Sequence, residues 1–231
     1  MGLARSLPKP KAQSRKPGFV LTVYPGERAT AALVLAPGAG GGQHSRFLVD
    51  TARALAARGI TTATFDFLYT TQGRSAPDKP AVLEATWREA IAAARADVAF
   101  SGLPLFIGGK SMGGRIASHV AAQRVEGVTG LVYLGYPLHP PGKPDQRRDK
   151  HLPDITLPML FVQGTRDEFG TAGDIRALLP RLSPHALLFE VLDGDHSFKT
   201  RLKVTGRKPD AVLAEIFDAV ASFVMTHRQV R

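Results

Sequence analysis

Ser111 sits between glycines in Gly109-Lys110-Ser111-Met112-Gly113, just after the apolar run Leu105-Phe106-Ile107 and before a helix-like segment. A serine so placed is a candidate nucleophile. A sharp strand-to-helix turn forces it into a strained backbone conformation, and flanking glycines remove side chains that would collide. The turn lifts the hydroxyl above the sheet. It also leaves N–H groups at the start of the next helix free to face an oxyanion.

A serine hydroxyl is a poor nucleophile at neutral pH. It needs a base within hydrogen-bond reach, and the base needs an orienting carboxylate. His196 is the candidate base, because it follows the apolar run Ala186 to Leu192 in the glycine-containing loop Asp193-Gly-Asp-His196. His44, His119, His139, His151 and His185 precede or miss that position, and His227 lies in the last helical segment. Asp167 is the candidate acid, reached from the apolar run Met159 to Gln163 through Gly164-Thr-Arg. Glu168 is its runner-up. Asp174 falls inside the next helix, and Asp193 and Asp195 are too close in sequence to His196. The nucleophile, acid and base thus follow one another along the chain, each after a strand.

A tetrahedral intermediate needs two N–H donors. One is expected from Met112, just after the nucleophile. The other is expected from the loop Pro37-Gly-Ala-Gly-Gly, at Ala39. Two rival readings of the serine turn compete with this one. Gly-Lys-Ser also ends a phosphate-binding loop, but that motif needs a glycine where this chain has Pro104, and Leu105 to Ile107 read as strand. A glycine-rich turn without chemistry leaves the acid and base unexplained.

These residues must be held by the elements around them. Apolar runs alternate with helix-period segments throughout, which predicts a mostly parallel sheet covered on both faces. Strands are expected at Phe19 to Tyr24, Ala31 to Ala36, Ile60 to Phe67, up to the serine turn, Val128 to Leu134, Met159 to Gln163 and Ala186 to Leu192. Helices are expected at Ser45 to Arg58, Ala81 to Phe100, after Ser111, Ala172 to Leu182 and Ala211 to His227. The chain has 231 residues, 44% hydrophobic, which suits one domain with a sizeable core. The reading is a basic flexible tail over 1–18 and one domain over 19–231. Met1 to Ser6 formally fits a myristoylation pattern, though an ordinary N-terminus fits as well.

With no cysteine, neither disulfides nor a thiolate metal site is available. No run is long enough to span a bilayer, and the N-terminus lacks the apolar stretch of a secretory signal, so a cytoplasmic location is expected. The net charge of +10 permits anionic partners, but the basic residues are scattered and no aromatic-interleaved basic motif is present, so nucleic acid is not an expected partner. Lys143, Arg147, Arg148, Lys199 and Arg201 flank loops that begin at the candidate site. They read either as a positive field that draws in anionic substrates or as a solvated surface.

The chain resembles the α/β-hydrolase superfamily and, more narrowly, bacterial α/β family hydrolases related to dienelactone hydrolases. The resemblance rests on Leu35-Ala-Pro-Gly-Ala-Gly, Gly108-Gly-Lys-Ser-Met-Gly-Gly-Arg115, Leu134-Gly-Tyr-Pro-Leu-His-Pro-Pro-Gly-Lys143, Gln163-Gly-Thr-Arg-Asp-Glu-Phe-Gly170 and Gly194-Asp-His196. Pro37 stands where many relatives have histidine, and Ser111 where dienelactone hydrolases proper have cysteine. The resemblance implies a single-domain α/β-hydrolase fold that cleaves a small-molecule ester or thioester through an acyl-serine, with no metal or organic cofactor. Acyl transfer from the same acyl-enzyme, or a non-catalytic scaffold, are the alternatives. Only the loops Leu68 to Pro80 and Tyr136 to Thr156 can overhang the site, so the cap is expected to be minimal. Tyr69, Tyr136, Leu138 and Phe198 are candidate walls of the substrate cleft, and ordinary loop packing would explain them equally.

Overall fold

The computed structural model describes residues 11–16 and 19–228. Its strands are β1 (Lys11–Lys16), β2 (Phe19–Tyr24), β3 (Ala31–Ala36), β4 (Ile60–Phe65), β5 (Leu105–Lys110), β6 (Gly130–Leu134), β7 (Met159–Gly164) and β8 (Ala186–Val191). They form one sheet in the order β1-β2-β4-β3-β5-β6-β7-β8. From β4 through β8 every pairing is parallel, while β1 and β2 are antiparallel at one edge. The strand order reverses around β3 and β5, and ligands of open α/β sheets collect at such a switch point, beyond the carboxyl ends of the strands.

The helices are α1 (Arg46–Ala56), α2 (Leu68–Thr71), α3 (Pro80–Arg95), α4 (Met112–Ala122), α5 (Ala172–Leu178), α6 (Leu202–Thr205) and α7 (Pro209–His227). They cover both faces, and β3 explains why. Its residues alternate between two cores. Ala31, Leu33 and Leu35 pack with α1 and α7, whereas Ala32, Val34 and Ala36 pack with α3, α4 and α5. A period of two with both faces apolar is what a buried parallel strand requires.

Most of the expected elements appear, with shifted ends. The strand expected to reach Phe67 stops at Phe65, and the helix expected to run to Phe100 stops at Arg95, with a separate 3₁₀ turn at Val98–Phe100. Asp97 accepts from the Ala99 N–H and so caps that turn. The helix expected to reach Leu182 stops at Leu178, because Pro180 lacks the N–H that would continue it. The short α2 and α6 carry too few residues to display a helical period. Residues 1–10 and 17–18 of the expected tail, including the myristoylation-like Met1 to Ser6, lie outside the described residues. Within that tail Lys11–Lys16 is not free chain: its backbone pairs with β2, Lys11 opposite Val23 and Lys16 opposite Phe19. A polar, basic stretch carries no apolar alternation to mark it as an edge strand.

Trp87 joins α3 to the helix that starts at the serine turn. It is fully buried, and its Nε1–H donates to the Gly113 carbonyl at 3.0 Å. Its ring also meets Phe65 edge-on at 4.9 Å. Trp87→Phe removes this donor and leaves a void in a close-packed site. The expected cost is about 2–3 kcal/mol, read by circular dichroism as a lower urea midpoint with an unchanged m-value. An unchanged midpoint would mean that Trp87 does not brace this helix.

Candidate active site

Ser111 adopts φ 50 and ψ −117, a strained conformation for a residue with a side chain, and its hydroxyl stands at the carboxyl end of β5. The chain tolerates this because Gly109 (φ 148) and Gly113 lie directly against β3. A Cβ on Gly109 would overlap the Ala36 carbonyl, and one on Gly113 would overlap the carbonyls of Ala36 and Pro37. The glycines therefore clear space for the neighbouring strand, more than for the turn itself. The Ser111 N–H donates to the Leu134 carbonyl, which ties the turn to β6.

Loops after β7 and β8 bring the other two groups to the same edge. His196 Nε2 lies 2.9 Å from Ser111 Oγ, and His196 Nδ1 lies 2.8 Å from Asp167 Oδ2 and 2.9 Å from Oδ1. A carboxylate can only accept, so Nδ1 carries the proton and Nε2 is free to take one from the serine. Asp167 is only 1% exposed, whereas Glu168 beside it is exposed. The Asp167 carboxylate also accepts from the Phe169 N–H at 2.9 Å and from Gln163 Nε2 at 2.9 Å. The Phe169 ring packs on the imidazole, with centroids 4.2 Å apart.

Sequence reading missed Gln163. It is fully buried; its Oε1 accepts from the Tyr136 N–H, while its Nε2 faces Asp167, the Gly170 carbonyl and the Tyr136 carbonyl. It thereby locks the acid loop to the segment that follows β6. A polar residue at the end of an all-apolar strand was the available signal. Lys110, the variable residue of the serine motif, was missed as well. Its Nζ donates to the His196 carbonyl at 2.6 Å and lies 5.3 Å from the centre of the Phe198 ring.

The expected oxyanion donors both line the cavity that holds Ser111. Met112 is the first residue of α4, so no carbonyl within the helix can accept its N–H. The glycine loop carrying Ala39 is clamped by Asp66, whose carboxylate accepts from the Gln43 backbone N–H at 2.7 Å and from Gln43 Nε2 at 3.2 Å.

The cavity at Ser111 measures about 560 Å³, with Pro77, Asp78 and Pro80 on one side and Pro137, Arg148 and Phe169 on another. Both expected overhanging loops therefore reach it. None of the four expected wall residues lines it. Tyr69, Tyr136 and Leu138 are wholly buried in the core under α3 and α4, because aromatic and leucine side chains at loop starts gain more by completing the core than by facing water. Tyr136 uses its hydroxyl to donate to the Arg148 carbonyl. Phe198 lines a neighbouring cavity of about 620 Å³, which shares Gly38, Ala39 and Lys110 with the first.

A second Ser–His pair lies behind this edge. Ser118 Oγ is 2.7 Å from His151 Nε2, but Ser118 is fully buried in the middle of α4 and also donates to the Arg115 carbonyl. Burial, then the positive charges of His119 and Arg115, push His151 down to about 4, so it stays neutral. No carboxylate orients it among the described residues, and the pair fastens the Tyr136 to Thr156 loop onto α4. Among the described residues no group of three or more His, Cys, Asp or Glu side chains is placed to hold a metal, and no helix is long and apolar enough to cross a membrane.

Comparison with known proteins follows the same outline. Residues 29–225 match the family described as an alpha/beta hydrolase domain. A dienelactone hydrolase from Anabaena variabilis superposes with a TM-score of 0.76 at 20% identity, covering 97% of this chain and 100% of that one. An α/β serine hydrolase without lid from Xanthomonas campestris gives 0.69 at 18% identity, over 96% and 97%. An alpha-beta serine hydrolase homologue from Coxiella burnetii gives 0.70 at 16% identity, over 93% and 96%.

The position of Lys110 has a measurable consequence. Burial lowers its pKa from the ordinary 10.5 to about 8, against the opposing pull of Asp167 and Asp195. Between those two values the unfolded chain binds a proton that the folded chain has released. Stability must therefore rise with pH across that window relative to a chain without the lysine. Urea unfolding of wild type minus Lys110→Met should show this upward difference between pH 8 and 10.5, and a flat difference would place the ammonium in water.

Proposed function

This chain belongs to the α/β-hydrolase domain family, and we propose that it is a serine hydrolase that cleaves carboxylic esters or thioesters through an acyl-serine. The observation that carries the reading is the unbroken hydrogen-bond chain Ser111–His196–Asp167 at one sheet edge, with a cavity in front of the serine. Ser111 Oγ attacks the substrate carbonyl as His196 Nε2 takes its proton. Asp167 holds the imidazole in the required tautomer and stabilises its charged form. The N–H groups of Met112 and Ala39 receive the negative oxygen of the tetrahedral intermediate. The imidazolium protonates the leaving alcohol or thiol as its bond to the acyl carbon breaks. Water then attacks the acyl-serine as His196 takes its proton, and the imidazolium returns that proton to Ser111 Oγ as the acyl–oxygen bond breaks and the acid leaves.

Two features favour this reading over a non-catalytic scaffold. Ser111 is held in a strained conformation with its hydroxyl on His196, and buried Asp167 accepts from three donors, one of them that same histidine. The narrow cap is consistent with small substrates.

Ser111→Ala should stay folded and lose at least about three orders of magnitude in kcat on 4-nitrophenyl or thioester substrates, the scale of losing a member of such a triad. A fluorophosphonate probe should label wild type at Ser111. Labelling at another serine, or turnover by folded Ser111→Ala, overturns the reading.

The carboxylates give an independent check. Asp167→Asn should lower kcat by about 10⁴ by favouring the wrong imidazole tautomer. Glu168→Gln, on an exposed side chain, should leave it within about twofold. The reverse pattern would transfer the role to Glu168.

A further inference from the structure

Of the five basic residues expected to form a positive rim, Arg147 and Arg201 are already neutralised, by Asp149 and Asp193. Lys199 lines the neighbouring cavity, away from the nucleophile. Arg148 alone of the five lines the cavity at Ser111, and there it is joined by two basic residues that were not expected on the rim: Lys110, whose Nζ is turned to the His196 carbonyl, and Arg115. Arg115 stands four residues after Ser111, on the same face of α4 and about 6 Å further along its axis.

Neither arginine is ion-paired among the described residues. Arg115 Nε is buried without a hydrogen-bond partner, and no carboxylate among the described residues lies in ion-pair range of either guanidinium. The nearby acids are engaged elsewhere. Asp78 pairs with Arg74, Asp149 with Arg147, and Glu84 with His119 and Gln123. Burial lowers the pKa of Arg115, and the adjacent charge of Arg148 pushes in the same direction, against Tyr136 and Glu84. Like charges gathered at one half-buried cleft, two of them guanidinium groups without an acidic partner among the described residues, are costly to fold. The cost is offset when an anion enters, because the guanidinium fork matches the planar oxygens of a carboxylate or the oxygens of a phosphate.

We propose that Arg115 and Arg148 form an anion subsite beside the nucleophile, so that the substrate is an ester or thioester bearing a carboxylate or phosphate close to the scissile bond. This rests on Ser111 as the nucleophile and narrows the substrate class that it serves. The neutral remainder of the substrate would lie against Pro77, Pro80, Leu83 and Pro137, which complete the apolar wall of the same cavity.

Two measurements test it separately from the catalytic reading. In the first, wild-type kcat/KM is compared for mono-4-nitrophenyl glutarate and for its methyl ester, 4-nitrophenyl methyl glutarate. The charged substrate should be preferred at least about tenfold, the scale of one charge-assisted hydrogen bond. That ratio should collapse towards one in Arg115→Gln and, independently, in Arg148→Gln. In the second, calorimetry follows binding of monomethyl glutarate and of methyl phosphate to the Ser111→Ala protein. Saturable binding that weakens at least about tenfold in either arginine variant supports the subsite, and the tighter of the two ligands identifies its anion. Anion binding without any ester turnover would sink the hydrolase reading and leave the subsite standing. Ester turnover with no charge preference and no anion binding would sink the subsite and leave the hydrolase standing.

Discussion

No side chain fits between the Ala36 carbonyl and the backbone at Gly109 and Gly113. This contact between neighbouring parallel strands sets the position of everything else at the sheet edge. It allows β5 to run against β3 until the last residue, then turn at once into α4. The turn puts Ser111 into its strained conformation, and the ties to Leu134 and Trp87 on either side keep it there. The same contact places the loop after β3 beside the serine, so that Ala39 and Met112 face one cavity. Parallel strands then do the rest, since every loop after a carboxyl end emerges on the same edge. Asp167 and His196 reach Ser111 from the third and fourth strands beyond β3 with no special device in the sheet.

Charge at that edge is arranged in two tiers. Asp167 is the buried negative group, and its hydrogen bonds from Gln163, Phe169 and His196 replace the water it has lost. Lys110 lies close enough to feel it, yet donates to the His196 carbonyl and not to the carboxylate. The lysine thus positions the backbone of His196 while leaving the imidazole to Asp167. Around this centre several arginines are paired off: Arg166 and Arg201 share Asp193, whose carboxyl is held well below the usual range by Arg201. These pairs brace the loop that carries His196 and cannot steer a substrate. The net charge of the chain is therefore a poor guide to the field at the cleft, which Lys110, Arg115 and Arg148 line.

This division explains what the sequence made legible. Ser111, Asp167 and His196 could be found because each follows an apolar run, and the glycines around the serine are demanded by the backbone alone. Gln163 and Arg115 could not be found that way. Gln163 ends a strand and Arg115 lies inside a helix, so their roles depend on which loop folds over them. Tyr69, Tyr136 and Leu138 failed as wall residues for the same reason in reverse: sequence places them near the edge, but only packing decides whether a ring turns towards the cavity or the core. The fold itself was legible because β3, β5, β6 and β7 are apolar on both faces. Lys11–Lys16 was not, because an edge strand of charged residues is defined by its backbone partner and not by its side chains.

The loop after β6 is where these limits meet. Its sequence is proline-rich and charged, yet its anchors are nearly all buried. Tyr136 holds it to Arg148, His151 to Ser118 and Leu152 to the core, while Gln163 grips the Tyr136 backbone from β7. These ties fasten both ends of the loop, and the entropy of those residues has already been surrendered in folding. Arg148 is therefore presented to the cleft from a fixed backbone, opposite Arg115 on a helix that is itself braced by Trp87. A guanidinium on such a frame loses little freedom when it binds, which is the condition under which a charged contact can discriminate between substrates and not merely attract them.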